Sequence, residues 1–266
     1  MVTVALTIAG TDPSGGAGIV ADCRAFEAAG VWAAACVTAV TAQNTRGVQL
    51  VRPLDVEVVR AQLDSVGSDL TVGATKTGML GSASIVDAVA DAIGRHRLGP
   101  LVVDPVCVSS SGTTLLDAAG VAGLRSQLVP LATLVTPNLA EAAMLTGLTV
   151  DDRDDMVSAG RMLCELGAGA ALVTGGHLVG DVVADVLVVA GEEPTWFVRP
   201  RLSTRHTHGT GCCLAASITA RLALGLPLHE AVALGIATAA TAIAHGVDLG
   251  AGDGSVDAAW HLRSGA

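Results

Sequence analysis

The sequence has no tyrosine, two phenylalanines and three tryptophans in 266 residues. So few aromatics exclude a stacking platform for single-stranded nucleic acid, which needs several of them in a row. A flat ligand would have to be gripped by aliphatic or methionine side chains. Cations are scarce as well: 15 Lys and Arg stand against 25 Asp and Glu, a formal net charge of −10. No basic stripe for a phosphate backbone or an anionic membrane can be drawn from them. The only lysine is Lys76, in Ala74-Thr75-Lys76-Thr77-Gly78, so a GxxxxGK[ST] P-loop is excluded. The six cysteines, Cys23, Cys36, Cys107, Cys164, Cys212 and Cys213, lack CxxC spacing, which suits reduced core thiols better than a disulfide frame. The apolar start has no basic n-region and breaks at Asp12-Pro13-Ser14, and the run 231–244 is interrupted by Gly235 and threonines and is too short for a bilayer. A soluble, cytoplasmic protein without nucleic-acid or membrane partners is expected. Nothing resembles a linker, and a hydrophobic content of 51% suffices for one large core, so residues 1–266 are expected to form a single domain.

What is present is a succession of strand, loop and helix. A β-rich run over 2–9 ends in Gly10-Thr11-Asp12-Pro13-Ser14-Gly15-Gly16-Ala17-Gly18, and helical spacing follows over 19–29. The pattern predicts further strands at 33–40, 70–75, 100–104, 131–136 and 170–174, with edge hairpin strands at 182–189 and 195–198. Helices are predicted at 54–66, 82–93 with Ser82 as cap, 117–128, 210–224 and 229–244, and Asp151-Asp152-Arg153-Asp154-Asp155 reads as a solvated helix start. Such alternation implies an α/β fold, a mostly parallel central sheet with helices on both faces. Open sheets of this kind bind ligands beyond the carboxyl ends of their strands, where the polar residues of this chain gather.

The most informative stretch is His206-Thr207-His208-Gly209-Thr210-Gly211-Cys212-Cys213-Leu214. Leu214, Ile218 and Leu222 recur at every fourth position, so Gly209, Thr210, Gly211 and Cys212 lie at a helix N-terminus. Unpaired amides and the helix dipole make such a place a nest for an anion, although the same glycines suit a turn that merely starts a buried helix. The 10–18 loop lets a ligand approach the backbone, or serves a tight crossover. Asp22 is a binding group or a first-turn acid. Gln43 and Asn44, read as lying in the loop 41–47 after the second strand, offer donors and acceptors to a heteroaromatic edge or support a turn. Met79 covers a ring or fills core. Asp104 ends the strand at 100–104. Asn138 and Glu141, three apart, hold a hydrated Mg²⁺ jointly or form an N-cap with an acid at N3. No long apolar helix follows Gly250-Ala251-Gly252-Asp253, which is read as a C-terminal loop. His206, His208, Cys212 and Cys213 match no common zinc spacing, and the histidines are read as loop residues.

Seven blocks carry a resemblance that spans nearly the whole chain: residues 8–19, Thr41-Ala42-Gln43-Asn44-Thr45, Lys76-Thr77-Gly78-Met79-Leu80, Val103-Asp104-Pro105-Val106, Thr136-Pro137-Asn138-Leu139, Gly175-Gly176-His177 and Thr207-His208-Gly209-Thr210-Gly211-Cys212. In this order they resemble the hydroxymethylpyrimidine and phosphomethylpyrimidine kinases of thiamine biosynthesis, members of the ribokinase-like superfamily. The resemblance implies a three-layer ribokinase-like fold, a homodimer, and ATP- and Mg²⁺-dependent phosphorylation of 4-amino-5-hydroxymethyl-2-methylpyrimidine and then of its monophosphate. It implies that Gly10, Asp22 and Gln43 line the pyrimidine pocket with Met79 against the ring. Asp104, Asn138, Thr174 and Thr207 would serve the nucleotide, Asp104 and Glu141 the metal, and Gly209 to Cys212 the anion hole.

Cys212 stands where the resemblance places the catalytic aspartate of sugar kinases. A carboxylate there would repel the phosphate of the second-step substrate by about 4 kcal/mol per charge pair at 4 Å and an effective dielectric of 20. Because a helix N-terminus lowers a thiol pKa, Cys212 is expected to act as base in the first transfer. Thr174 departs from the family pattern, in which many members have Lys, so a cationic contact to the nucleotide phosphates is missing at that position. The competing readings are a pyridoxal kinase, which performs one transfer, and a non-catalytic pyrimidine-binding protein.

Overall fold

Short apolar runs buried on both sides make the strands, and runs with one apolar face make the helices that cover them. The computed structural model describes residues 2–109 and 112–263. The first half of the chain forms β1 (Val4–Ala9), α1 (Gly18–Ala28), β2 (Trp32–Val37), β3 (Ala39–Asn44), β4 (Gly47–Pro53), α2 (Val56–Asp69), β5 (Val72–Thr77), α3 (Ala83–His96), β6 (Leu101–Val103) and α4 (Ala118–Gly123). There follow β7 (Leu134–Val135), α5 (Leu139–Thr146), α6 (Arg153–Glu165), β8 (Ala170–Val173), β9 (Val182–Val189), β10 (Thr195–Pro200), α7 (Thr210–Ala223), α8 (Leu228–Ala244) and α9 (Trp260–Arg263). Eight strands make one sheet in the order β10-β9-β8-β7-β6-β5-β1-β2. From β2 to β8 all pairings are parallel, and β9 and β10 close that edge antiparallel. The expected α/β architecture with a mostly parallel sheet is present.

Alternation along the strands divides the core. Leu101 and Val103 face the layer of α2 and α3 with Leu63, Ile85 and Val89, while Val102 between them joins Leu134, Leu172, Leu214, Ile218 and Leu222 on the α7 and α8 side. The fourfold spacing noted in α7 is thus its buried seam. Each such side chain contributes roughly 1.5–3 kcal/mol on burial, which fixes the helix start over the strand ends. Gly235 lets α8 lie close, since a Cβ there would sit 2.4 Å from Ile218 Cγ1. Among the described residues no helix is long and apolar enough to cross a membrane.

Caps set the helix starts: Ser82 accepts from Ile85 N, as the sequence predicts, and Asp117 and Asp152 likewise accept from Gly120 N and Asp155 N. Three expectations need correction. The strand at 33–40 breaks at Thr38, whose hydroxyl donates to Met79 O at 2.6 Å. Residues 39–44, read largely as a loop, instead form β3, which pairs with β4 as a separate two-stranded sheet. The helix at 117–128 is α-helical only to Gly123 and then widens into a π turn over Leu124–Leu128. In Ser109-Ser110-Ser111-Gly112, which precedes it, Ser110 and Ser111 lie outside the described residues.

Candidate active site

The glycine loop between β1 and α1 and the loop before α7 interlock beyond the carboxyl ends of the parallel strands. Gly209 has φ +83°, and a Cβ there would lie 1.8 Å from Gly16 O; both reasons demand glycine. Asp12 ties the two loops together. Its Oδ1 accepts from Ser14 N and Oγ, its Oδ2 accepts from Ala17 N at 3.0 Å, and Oδ2 lies 2.8 Å from His208 Nε2. Asp12 and His208 are both buried. His208, read as a loop histidine, is a structural bond between loops 196 positions apart. Burial would raise the Asp12 carboxyl, but the bonds from His208 and Ser14 outweigh it and hold the pKa below its ordinary value.

At the start of α7 the anion-hole reading can be checked atom by atom. The Thr210 amide is committed, donating to Thr207 O at 3.2 Å, and its hydroxyl donates to the same carbonyl. Among the described residues the N–H groups of Gly211 and Cys212 find no acceptor in the protein. Gly209, Thr210, Gly211 and Cys212 all line a cavity of about 280 Å³. Of the four expected residues, Thr210 thus turns its amide to the protein, whereas Gly211 and Cys212 do not.

The same cavity brings together Gly10, Gln43, Met79, Asp104, Asn138, Glu141 and Thr174, and a larger one of about 1160 Å³ adjoins it, with Thr207 in its wall. Gly10 makes room for Met79, because a Cβ would lie 3.1 Å from its Sδ. Asn138 and Glu141 form a capping box: Asn138 Oδ1 accepts from Glu141 N, and Glu141 Oε2 accepts from Asn138 N at 2.9 Å. Thr174 donates its amide to Pro137 O at 2.9 Å and joins β8 to this helix start.

Asp22 is the exception among the expected site residues. It is fully buried beneath the cavity and does not line it; Thr7 Oγ1 donates to its Oδ2 at 2.6 Å and Lys76 Nζ lies 3.0 Å from both oxygens. A sealed lysine needs a counter-ion, and Asp22 is that partner rather than a ligand contact. Lys76, the only lysine and a residue to which the sequence reading assigns no role, sits in β5 at the cavity floor with Nζ 3.4 Å from Asp104 Oδ2. Burial would lower the Lys76 pKa, but Asp22, Cys212 and Asp104 together raise it, so the ammonium stays charged.

Two further shifts define the chemistry. Burial and the Asp104 charge push Glu141 up to about 8 against the bond from the Asn138 amide, and Asp104 is itself raised by burial and Asp22 despite Lys76. Two carboxylates that resist joint ionisation make a fitting place for a divalent cation, and among the described residues Asp104 Oδ2, though 3.4 Å from the Lys76 ammonium, accepts no hydrogen bond. Among the described residues no three His, Cys, Asp or Glu side chains converge, so a cation there would complete its shell with water and phosphate oxygens. Cys212 is raised to about 12: burial dominates, Asp22 and Asp104 add to it, and Lys76 with the Gly18 amide only partly offsets them. This surrounding runs against the expected activation by the helix start, because burial beside Asp22 and Asp104 disfavours the thiolate.

Amides without protein acceptors at a helix start, with two carboxylates nearby at the strand ends, suit the binding of a phosphate chain and its cation. A family model for phosphomethylpyrimidine kinase matches residues 12–257. The chain belongs to the phosphomethylpyrimidine kinase family. It is a phosphotransferase of ribokinase-like fold. It is 47% identical over 257 residues to the hydroxymethylpyrimidine/phosphomethylpyrimidine kinase of Streptomyces coelicolor, covering 97% of this chain and 94% of that one. Among solved structures, an ADP complex of Bacillus subtilis pyridoxal kinase superposes with a TM-score of 0.92 at 36% identity, covering 99% of both chains. The phosphomethylpyrimidine kinase of Clostridium difficile gives 0.79 at 38% identity, with 90% of this chain and 98% of that one covered.

Proposed function

We propose that this phosphomethylpyrimidine kinase family member, as a single kinase domain, transfers the γ-phosphoryl group of ATP to the hydroxymethyl oxygen of 4-amino-5-hydroxymethyl-2-methylpyrimidine, and then a second one to the monophosphate. The observation that carries this reading is the pair of uncommitted amides, Gly211 and Cys212, beside a small cavity that opens toward a larger one. The small cavity, with Gln43 and Met79, suits a flat heteroaromatic alcohol, and the larger one, with Leu139, Leu148 and Ile243, suits the nucleotide. The acceptor oxygen forms a bond to phosphorus as the bond to the β-phosphate oxygen breaks, and ADP leaves with the electron pair; in the first transfer the hydroxyl proton passes late to an oxygen of the transferred phosphoryl group, and in the second the acceptor phosphate arrives already deprotonated. The two amides receive the equatorial charge. Asp104 and Glu141 would hold Mg²⁺, which supplies charge neutralisation on the phosphates when bound.

Loose phosphoryl transfer needs positioning more than a strong base. With its thiol neutral, Cys212 leaves room for a second-step substrate that is already an anion. Cys212→Asp should therefore slow the second transfer at least tenfold more than the first in single-turnover assays; equal losses refute this role.

The high structural similarity to a pyridoxal kinase favours a second reading, phosphorylation of pyridoxal. Mass spectrometry of the products made from each alcohol with Mg·ATP decides between them: a diphosphate from the pyrimidine supports the proposal, and exclusive pyridoxal phosphate contradicts it. Pyrimidine capture without ATP consumption would mark a binding protein instead. The free state of all six cysteines supports a reducing, cytoplasmic setting. Val40 and Leu50, exposed on one face of the β3–β4 sheet, support a homodimer, which sedimentation tests.

A further inference from the structure

A phosphate chain is strongly anionic, yet the cleft walls carry Asp104, Glu141 and Asp185. Most of the nearby cations are already spent. Lys76 is enclosed between Asp22 and Asp104. Arg201, on the wall of the larger cavity, donates from Nε, Nη1 and Nη2 to the carbonyls of Gly180, Gly176 and Leu178, at 2.8, 2.7 and 2.5 Å. Its guanidinium braces a loop.

Arg199 differs. It lies near the end of β10, and because β9 and β10 are successive antiparallel strands beside β8, that end returns to the ligand side of the sheet. Its Nη1 donates to Asp185 Oδ2 at 2.5 Å, while the other oxygen of Asp185 accepts from Gly175 N at 2.9 Å. Asp185 is fully buried, so the pair is anchored from beneath. Among the described residues no other acceptor takes a hydrogen bond from the Arg199 guanidinium, which has five N–H donors. Arg199 also lines both cavities, as Gly209 and Gly211 do. The guanidinium and the anion nest therefore border the same junction.

We propose that Arg199, positioned by Asp185, is the cation that binds the phosphate chain of the nucleotide donor where the two cavities meet. This rests on the ATP-dependent reading above. A planar, pre-oriented fork with free donors is suited to phosphate oxygens, and Thr174, which lines the same cavity, brings no charge of its own.

The test is calorimetric titration of the full chain with ATP, ADP and adenosine in the presence of Mg²⁺, for wild type, R199M, R199K and R199M/D185N. R199M should weaken ATP and ADP at least tenfold and leave adenosine within twofold, with R199K recovering part of the loss. In turnover, the KM for ATP should rise while that for the pyrimidine stays unchanged. Because R199M alone strands the buried Asp185, the double variant, checked for folding by thermal melting, must show the same phosphate-dependent deficit. ATP and ADP binding at wild-type strength in the double variant, or an equal loss for adenosine, overturns the assignment. A wild-type protein that binds ATP through Arg199 but phosphorylates no pyrimidine refutes the proposed activity and leaves the assignment standing.

Discussion

Lys76 lies fully buried between two acids at the cavity floor. Enclosed by Asp22 and Asp104, it neutralises acids that would otherwise repel each other and any incoming phosphate. Lys76→Met leaves Asp22 buried without a counter-ion, and removing one member of such a pair costs about 3–5 kcal/mol. Denaturant midpoints should show that loss, and the double variant with Asp22→Asn should regain most of it; equal stability of wild type and Lys76→Met contradicts the reading. Cys212 gives a pH prediction. Its pKa is raised to about 12, so the neutral thiol persists throughout the working range and its ionisation places no limb on the rate profile below pH 9. Cys212→Ser should keep the first transfer within about tenfold of wild type, whereas loss of a general base costs roughly 10²–10⁴. A limb near pH 8 that vanishes in Cys212→Ser would restore the thiol as base.

Among the elements, the two glycine loops act as one unit because Gly209 packs against Gly16 O and His208 bonds to Asp12. Gly209→Ala adds strain at φ +83° and drives a methyl into that carbonyl. Displacing the amides by about 1 Å costs on the order of 10²-fold in rate, so both transfers should fall by about that factor in steady-state assays while thermal melting shows a folded protein. Unchanged rates would mean that the loop tolerates a Cβ. The loops were legible as elements because glycine clusters between a strand pattern and a helix pattern have few other meanings. Their bond was not, since Asp12 and His208 are separated by 196 positions and only the fold brings them together. The β3–β4 hairpin escaped the sequence for a different reason: the buried positions of β3, Ala39 and Thr41, are small or polar while Val40 and Leu50 are exposed, so the apolar alternation that marks a strand is missing from its buried face.

For the molecule as a whole, the apolar periodicities determine a parallel sheet with helices on both sides, and the polar loops fall at its carboxyl ends as expected. What periodicity cannot show is which buried charges meet. β1, β5 and β6 are neighbours in the sheet though scattered in the chain, and that adjacency puts Lys76 at the cavity floor, next to Asp104 and above Asp22, so Asp22 becomes its counter-ion and no wall residue. Likewise the antiparallel edge returns Arg199 to the ligand side, which strand propensity alone does not reveal. The account depends throughout on phosphate being held by the start of α7 between the two cavities. A crystal structure with Mg²⁺, a non-hydrolysable ATP analogue and the pyrimidine alcohol tests this most directly. The terminal phosphate should lie within hydrogen-bond distance of the Gly211 and Cys212 amides, with the alcohol oxygen facing it. A terminal phosphate bound elsewhere, with those amides turned to protein carbonyls, would contradict the account.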